Sequence, residues 1–89
     1  MSSDSSQVDY ERVKSVKEVH ERELLAKQNV LGVGVGYKVV EGMRTDILAI
    51  IVMVREKVVE GLMQREDIIP REIDGVPVDV QEMGEFLGE

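Results

Sequence analysis

The sequence contains no cysteine and no tryptophan, and it has one phenylalanine, two tyrosines and a single histidine. Without cysteine the chain cannot form disulfides, zinc–thiolate centres or iron–sulfur clusters, and it cannot use a thiol in catalysis. Because 43% of the 89 residues are hydrophobic, the core must consist almost wholly of valine, isoleucine, leucine and methionine. A chain of this length is typical of one small domain. Small domains without disulfides often gain stability by association, so we expect a homo-oligomer or a partner protein.

Basic residues are too few and too scattered to suggest a nucleic-acid site. Eleven lysines and arginines stand against eighteen acidic residues, which gives a net charge of −7, so nucleic acids and anionic membranes would be repelled on average. The longest apolar run, residues 47–54, is far shorter than the roughly 20 residues of a membrane-spanning helix. The first seven residues carry aspartate and serine, where an export signal has basic and then apolar residues. We expect a soluble, cytoplasmic protein without nucleic-acid or membrane partners.

One amphipathic helix is predicted near the N-terminus. Residues 1–7 are small and polar and are interpreted as a flexible tail. Residues 8–28 contain no glycine or proline, and Ser6 and Asp9 have the spacing of a capping box. Apolar residues and the histidine recur at three- and four-residue steps, at Tyr10, Val13, Val16, His20 and Leu24. This stripe should pack on a flat surface, with the charged side of the helix in solvent.

A hairpin of two strands is predicted to follow the helix. Residues 30–40 alternate with period two and are rich in β-branched residues. Residues 47–58 come after six turn-like residues and are apolar on both faces as far as Val54, as expected of a central strand. A six-residue connection is too short for a parallel crossover, so the two strands should pair antiparallel.

A second hairpin is predicted around Asp74 and Gly75. Asp-Gly between apolar residues is typical of a two-residue turn in which both residues have positive φ. Pro70 and Pro77 cannot donate hydrogen bonds to a strand ladder, so part of this hairpin should lie at a sheet edge.

These elements together predict the fold class. Residues 60–67 should form a short helical turn or a loop, and residues 84–89 a loose end. The predicted fold is one α+β domain, residues 8–83, in which the N-terminal amphipathic helix packs on a mainly antiparallel sheet of three or four strands.

Three glycines at alternate positions, Gly32, Gly34 and Gly36, invite comparison with loops that bind phosphate through backbone N–H groups. Such loops follow a strand and open a helix, whereas these glycines lie inside a strand pattern. Since alternate residues share one face of a strand, we interpret the glycines as room for the N-terminal helix to lie close to the sheet. They remain weak candidates for a site at which the backbone approaches a ligand.

No catalytic residue, metal ligand or cofactor site is predicted. His20 could share a metal with Glu23, but Leu24 stands where a zinc motif has its second histidine, so the site would be incomplete. The remaining hydroxyl and carboxylate candidates have better explanations as helix, turn or strand-surface residues: Ser15, Thr45, Asp46, Asp74 and Asp79. We therefore expect a protein that is not an enzyme.

Two segments, residues 30–38 with the aliphatic strand after them and residues 69–80, resemble a module of bacterial and phage proteins. That module is often found ahead of a trypsin-like serine protease domain, and the resemblance covers roughly residues 19–83. It implies a small α+β module of unassigned biochemical role. Nothing in the sequence after Met83 could supply the histidine, acid and serine of the protease, so no catalytic residue is carried over.

The leading hypothesis is association through an exposed edge of the small sheet, because an unpaired edge strand can pair with a strand of a partner. We expect a non-catalytic interaction or oligomerisation module. One alternative is a protein that binds a small ligand or anion through the backbone of residues 32–36. Another, which rests on the family resemblance alone, is a pro-segment or inhibitor of a protease.

Overall fold

A computed structural model of the chain describes residues 9–58 and 60–83. It contains one helix, α1 (Tyr10–Leu25), and four strands, which are β1 (Val30–Val40), β2 (Met43–Val54), β3 (Glu72–Ile73) and β4 (Val76–Glu82). Two short 3-10 turns, Glu60–Leu62 and Arg65–Asp67, lie between β2 and β3, where a helical turn or loop was predicted. The predicted tail at residues 1–7 and loose end at residues 84–89 lie outside the described residues.

The strands form one mixed sheet in the order β1-β2-β4-β3. β1 and β2 pair antiparallel, β2 and β4 pair parallel, and β3 and β4 pair antiparallel. The predicted α+β class, with one helix on a mainly antiparallel sheet, is confirmed. The parallel pair is possible because the connection from β2 to β4 is long and carries both 3-10 turns and β3.

Helix α1 is shorter at both ends than predicted. Asp9, with extended φ and ψ, is the N-cap, and its carboxylate accepts a hydrogen bond from the backbone N of Arg12 at 3.0 Å. The predicted capping box is wrong in placing Asp9 inside the helix, and its first residue, Ser6, lies outside the described residues. The helix ends at Leu25, before Gln28, because the chain turns away and reaches φ 77° at Asn29. Asparagine tolerates this left-handed conformation better than most residues.

Both hairpins have two-residue turns with positive φ at both positions. Asp74 and Gly75, at 52° and 81°, confirm the predicted turn. Glu41 and Gly42, at 52° and 80°, form the turn between β1 and β2, so the predicted six-residue connection is wrong. The polar residues after Gly42 belong to β2, where Met43 pairs with Val40.

The core lies between α1 and one face of the sheet. Val13, Val16 and Leu24 of the helix are buried against alternate residues of the two central strands, namely Ile50, Val52, Val54, Val76 and Val78. β2 has a strand on both sides, as its apolar pattern predicts. Within the described residues, no helix is both long enough and apolar enough to cross a membrane.

Candidate functional site

Strand β1 forms one edge of the sheet. It pairs with β2 on one side, and no other strand of the described residues lies on its other side. β1 is 11 residues long, contains no proline and carries a single charge, Lys38. Natural edge strands are usually short, charged or interrupted, because free N–H and C=O groups pair readily with a strand of another chain. The register of β1 is irregular at Val30/Gly32 and at Tyr37/Val39, and the stretch between these two positions has none of the three protective features.

The opposite edge of the sheet is protected. β3 has only two residues, Glu72 and Ile73, and Pro70 and Arg71 stand immediately before it. Pro77, which cannot donate a ladder hydrogen bond, lies opposite Glu72. The prediction that part of the second hairpin lies at a sheet edge is confirmed. The two edges therefore differ sharply, and β1 is the one suited to pairing.

Large apolar side chains are exposed along the β1 edge. Leu31 lies at one end, and Tyr37, Val39 and Val40 lie towards the other. The guanidinium carbon of Arg44 stands 4.9 Å from the centre of the Tyr37 ring, over one ring face. Exposed apolar groups gathered on one strand are typical of surfaces that bind another protein.

The three alternate glycines lie on the face of the sheet that points away from the helix. Side chains alternate along β2, so Ile51 and Met53 project opposite to the buried residues Ile50 and Val52. A Cβ on Gly32 would lie 3.2 Å from the Met53 Cε, and a Cβ on Gly36 would lie 3.1 Å from the Ile51 Cγ1. The prediction that these glycines make room for the helix is wrong, because they make room for two side chains of β2.

A side chain on Gly34 would have the same neighbour as one on Gly32, Met53, but would have more space. A Cβ on Gly34 would lie 3.9 Å from the Met53 Cε, which is ordinary van der Waals contact. The linings of four cavities bounded by described residues do not include Gly32, Gly34 or Gly36. A ligand site at the glycine backbone stays a prediction.

His20 connects the helix to the turn between β3 and β4. Its Nδ1 lies 3.4 Å from Glu23 Oε1, and its Nε2 lies 3.4 Å from Asp74 Oδ2. Arg12 donates a hydrogen bond of 2.8 Å to the backbone oxygen of Asp74. Across the part of the chain that the structure describes, no three His, Asp or Glu residues are grouped so that they could hold a metal ion. The contacts of His20 and Arg12 tie the helix to the turn between β3 and β4.

Two other sequence candidates stabilise the hairpin of β1 and β2. Thr45 Oγ1 donates to the Lys38 oxygen at 2.7 Å and accepts from the Ile47 backbone N at 3.2 Å. These contacts lie at the irregular register between Tyr37 and Val39. Asp79 Oδ2 accepts from the Val39 backbone N at 3.0 Å. No local sequence signal indicates this last contact, because it joins residues of two strands that are not neighbours in the sheet.

A cavity of about 340 Å³, which the sequence does not indicate, lies where β2 ends. Its apolar wall includes Val54, Met63 and Ile69, and Lys57 and Arg71 line it from two different segments. Residues from the helix–β1 connection, the end of β2 and the segment before β3 meet here, so only the folded chain brings them together.

A comparison with protein families bears on the whole domain. The family described as the NARROW LEAF 1 N-terminal domain matches residues 12–81. The chain belongs to this family. The match to the NARROW LEAF 1 N-terminal domain begins in α1 and ends in β4, so it includes most of the helix, all of β1, β2 and β3, and β4 except its last residue. No curated protein was found that matches the chain.

The family description assigns no role to individual residues of the NARROW LEAF 1 N-terminal domain. It also names no protease, so the resemblance to modules ahead of trypsin-like protease domains, and the bacterial source it implies, stay predictions.

Proposed function

We propose that this domain is a non-catalytic association module in which β1 pairs with β1 of a second copy of the chain. The observation that carries the proposal is the contrast between the two sheet edges. β1 offers 11 residues with one charge and no proline, whereas the other edge is two residues long and flanked by proline.

The residue pattern of β1 is self-complementary. A two-fold axis perpendicular to the sheet would place two β1 strands antiparallel, with residues of the same face opposite each other. With the axis at Val35, Gly34 lies opposite Gly36 and Val33 opposite Tyr37 of the second copy. Lys38 then lies opposite Gly32 and not opposite its own copy, so no like charges are brought together.

Pairing at this edge would also cover core-facing side chains of β1 that are partly exposed in a single copy. Val30, Val33 and Val35 pack against the buried core but are only partly buried themselves. A neighbouring strand would cover their exposed sides and extend the sheet. For a small domain without disulfides, such added burial raises the free energy of unfolding.

The proposal has two further parts: first, the domain is not an enzyme, and second, it is located in the cytoplasm. What supports the first is that the His20 ring contacts two carboxylates and, among the described side chains, no hydroxyl group that it could activate. Fractionation of cells that express the tagged chain would test the second.

The experiment is the solution mass by light scattering over a dilution series from about 100 to 1 µM, which brackets micromolar association. We expect a dimer in the parent chain and a monomer in the double variant Leu31→Lys/Val39→Lys, which places charges at both ends of β1. The matched control is Val19→Lys/Leu62→Lys. It makes the same charge change at side chains that are 73% and 82% exposed and belong to α1 and the first 3-10 turn, not to β1.

The control should remain a dimer. A parent chain that is monomeric at every concentration would contradict self-association and would favour pairing with a different protein. Loss of the dimer in both double variants would show that added charge alone, and not the β1 edge, controls association.

A further inference from the structure

The cavity at the end of β2 combines an apolar interior with a cationic rim. Val54, Met63, Ile69 and Val80 supply apolar surface, and Val54 is almost fully buried. The volume of about 340 Å³ falls within the roughly 300–1,000 Å³ range of small-molecule sites. Five of the ten residues that line the cavity are apolar and five are polar or charged, and small-molecule sites likewise combine apolar surface with placed polar groups.

The rim charge is opposite to the charge of the whole chain. Lys57 and Arg71 line the cavity together with one carboxylate, Glu56, although the net charge of the chain is −7. Among the described residues, the ion pair of Lys17 with Glu21 and the two contacts of His20 with carboxylates involve neither Lys57 nor Arg71. A ligand with a negative head group would therefore meet cations that make no ion pair with a described side chain.

The backbone at or beside each of the two cations is anchored by a separate contact. Asn29 bonds to Glu56 in both directions, because its Nδ2 donates to the Glu56 oxygen and its Oδ1 accepts from the Glu56 N at 3.4 Å. This contact positions the residue next to Lys57. The Arg71 backbone oxygen accepts a hydrogen bond from Val78 N at 2.9 Å, which ties Arg71 to β4. Anchored backbones reduce the ordering cost of binding.

Arg71 is the better placed of the two cations. Lys57 also borders a neighbouring hollow that is lined by Glu41, Asp79 and Glu82, so part of its charge faces carboxylates of the chain itself. Arg71 lines the cavity without bordering that hollow. Its planar guanidinium can bind both oxygens of a carboxylate at once.

We propose that this cavity binds a small aliphatic carboxylate, with the tail against Val54, Ile69 and Val80 and the carboxylate on Arg71. Lys57 adds a second, weaker attraction. The proposal does not rest on the proposed association, because the cavity is lined by residues outside β1.

The test is an NMR titration of the full chain with three probes that share an eight-carbon tail: octanoate, 1-octanol and octylammonium. Octanoate should shift the methyl resonances of Val54, Ile69 and Val80. Octanol should bind about tenfold more weakly, because a charged hydrogen bond is replaced by a neutral one. Octylammonium should bind more weakly still, because its charge is repelled by Arg71.

Arg71→Gln should reduce octanoate affinity by about tenfold and leave octanol affinity unchanged. The control is Arg65→Gln, which makes the same charge change on a nearby 3-10 turn outside the cavity lining. If Arg71→Gln does not fold, as judged by its thermal transition, Lys57→Gln gives a second variant with a smaller expected loss.

Three results would overturn the proposal. Equal binding of octanoate and octanol would show that the cations take no part. Shifts confined to residues outside the cavity, or no shifts at all, would show that the cavity is not the site. An equal loss of octanoate affinity in Arg65→Gln and Arg71→Gln would show that the net charge of the chain, and not Arg71 itself, causes the effect. The light-scattering result is independent of all three.

Discussion

The Asp79 carboxylate accepts a hydrogen bond from the backbone N of Val39 at 3.0 Å, although the two residues lie on strands that are not neighbours. β1 and β4 lie on opposite sides of β2, so the bond requires the end of the first hairpin to curl over the sheet. Asp79 Oδ2 also accepts from Gln81 Nε2 at 3.0 Å, which fixes the carboxylate. The register is irregular between Tyr37 and Val39, as expected where a strand bends.

Replacing Asp79 with alanine should lower the free energy of unfolding by about 1–2 kcal/mol, because a backbone N–H then loses a charged acceptor. Asp79→Asn keeps an acceptor oxygen and should cost less. Urea denaturation of both variants measures the difference. Asp46→Ala is the control, since that exposed carboxylate accepts no hydrogen bond among the described residues. A loss from Asp46→Ala as large as that from Asp79→Ala would point to net charge as the cause.

Gly36→Ala should destabilise the protein by about 1 kcal/mol, because the new Cβ would lie 3.1 Å from the Cγ1 of the buried Ile51. The same change should cost little in an Ile51→Ala background, where that atom is absent. Denaturation of the two single variants and the double variant gives the coupling free energy. Gly61→Ala is the matched control, since no heavy atom lies within 4 Å of a Cβ there. Zero coupling would show that Gly36 has another role.

Local sequence patterns predicted the elements of this fold. Period-two alternation predicted both ends of β1 correctly, and the pair Asp74-Gly75 predicted the second turn. Both patterns depend only on residues that are close in sequence. The start of β2 was missed because residues 43–46 are mostly polar and paired only with the end of β1. The parallel pairing of β2 and β4 depends on the path of a long connection, which no local pattern describes.

The site was harder to predict than the fold. The sequence predicted that the sheet has exposed strand edges but not that β1 is one of them, because the order of the strands decides which edge is free. The face of the glycines could have been predicted from the residues between them. Val33 and Val35 alternate with the glycines, and these two valines, not Gly34, pack against the core. No such pattern indicates the cavity, because Asn29, Lys57 and Arg71 are distant in sequence.

Leu24→Ala should lower the free energy of unfolding by about 2–5 kcal/mol, because this side chain is 1% exposed and fills the space between helix and sheet. Leu25→Ala, the next residue along the helix, removes the same atoms from a side chain that is 43% exposed. It should cost only about 0.5 kcal/mol. Similar losses in thermal or urea unfolding would mean that the helix packs through a different face.

Glu41 occupies a left-handed position, with φ 52°, in the turn between β1 and β2. A residue with a long side chain is strained there, whereas asparagine is favoured before glycine in a two-residue turn. Glu41→Asn should therefore raise the free energy of unfolding by up to about 1 kcal/mol. Glu41→Gln removes the same charge without this backbone preference and should give little or no gain.

The second hairpin supplies an internal comparison for the same measurement. Asp74 holds the equivalent position with the same φ of 52° and the same glycine after it. Aspartate already tolerates the left-handed region, and asparagine keeps a side-chain oxygen for the contact with His20, so Asp74→Asn should leave stability nearly unchanged. Urea midpoints for the three variants separate the causes: a gain for Glu41→Asn alone indicates relief of backbone strain, while equal gains for Glu41→Asn and Glu41→Gln would indicate relief of charge repulsion instead.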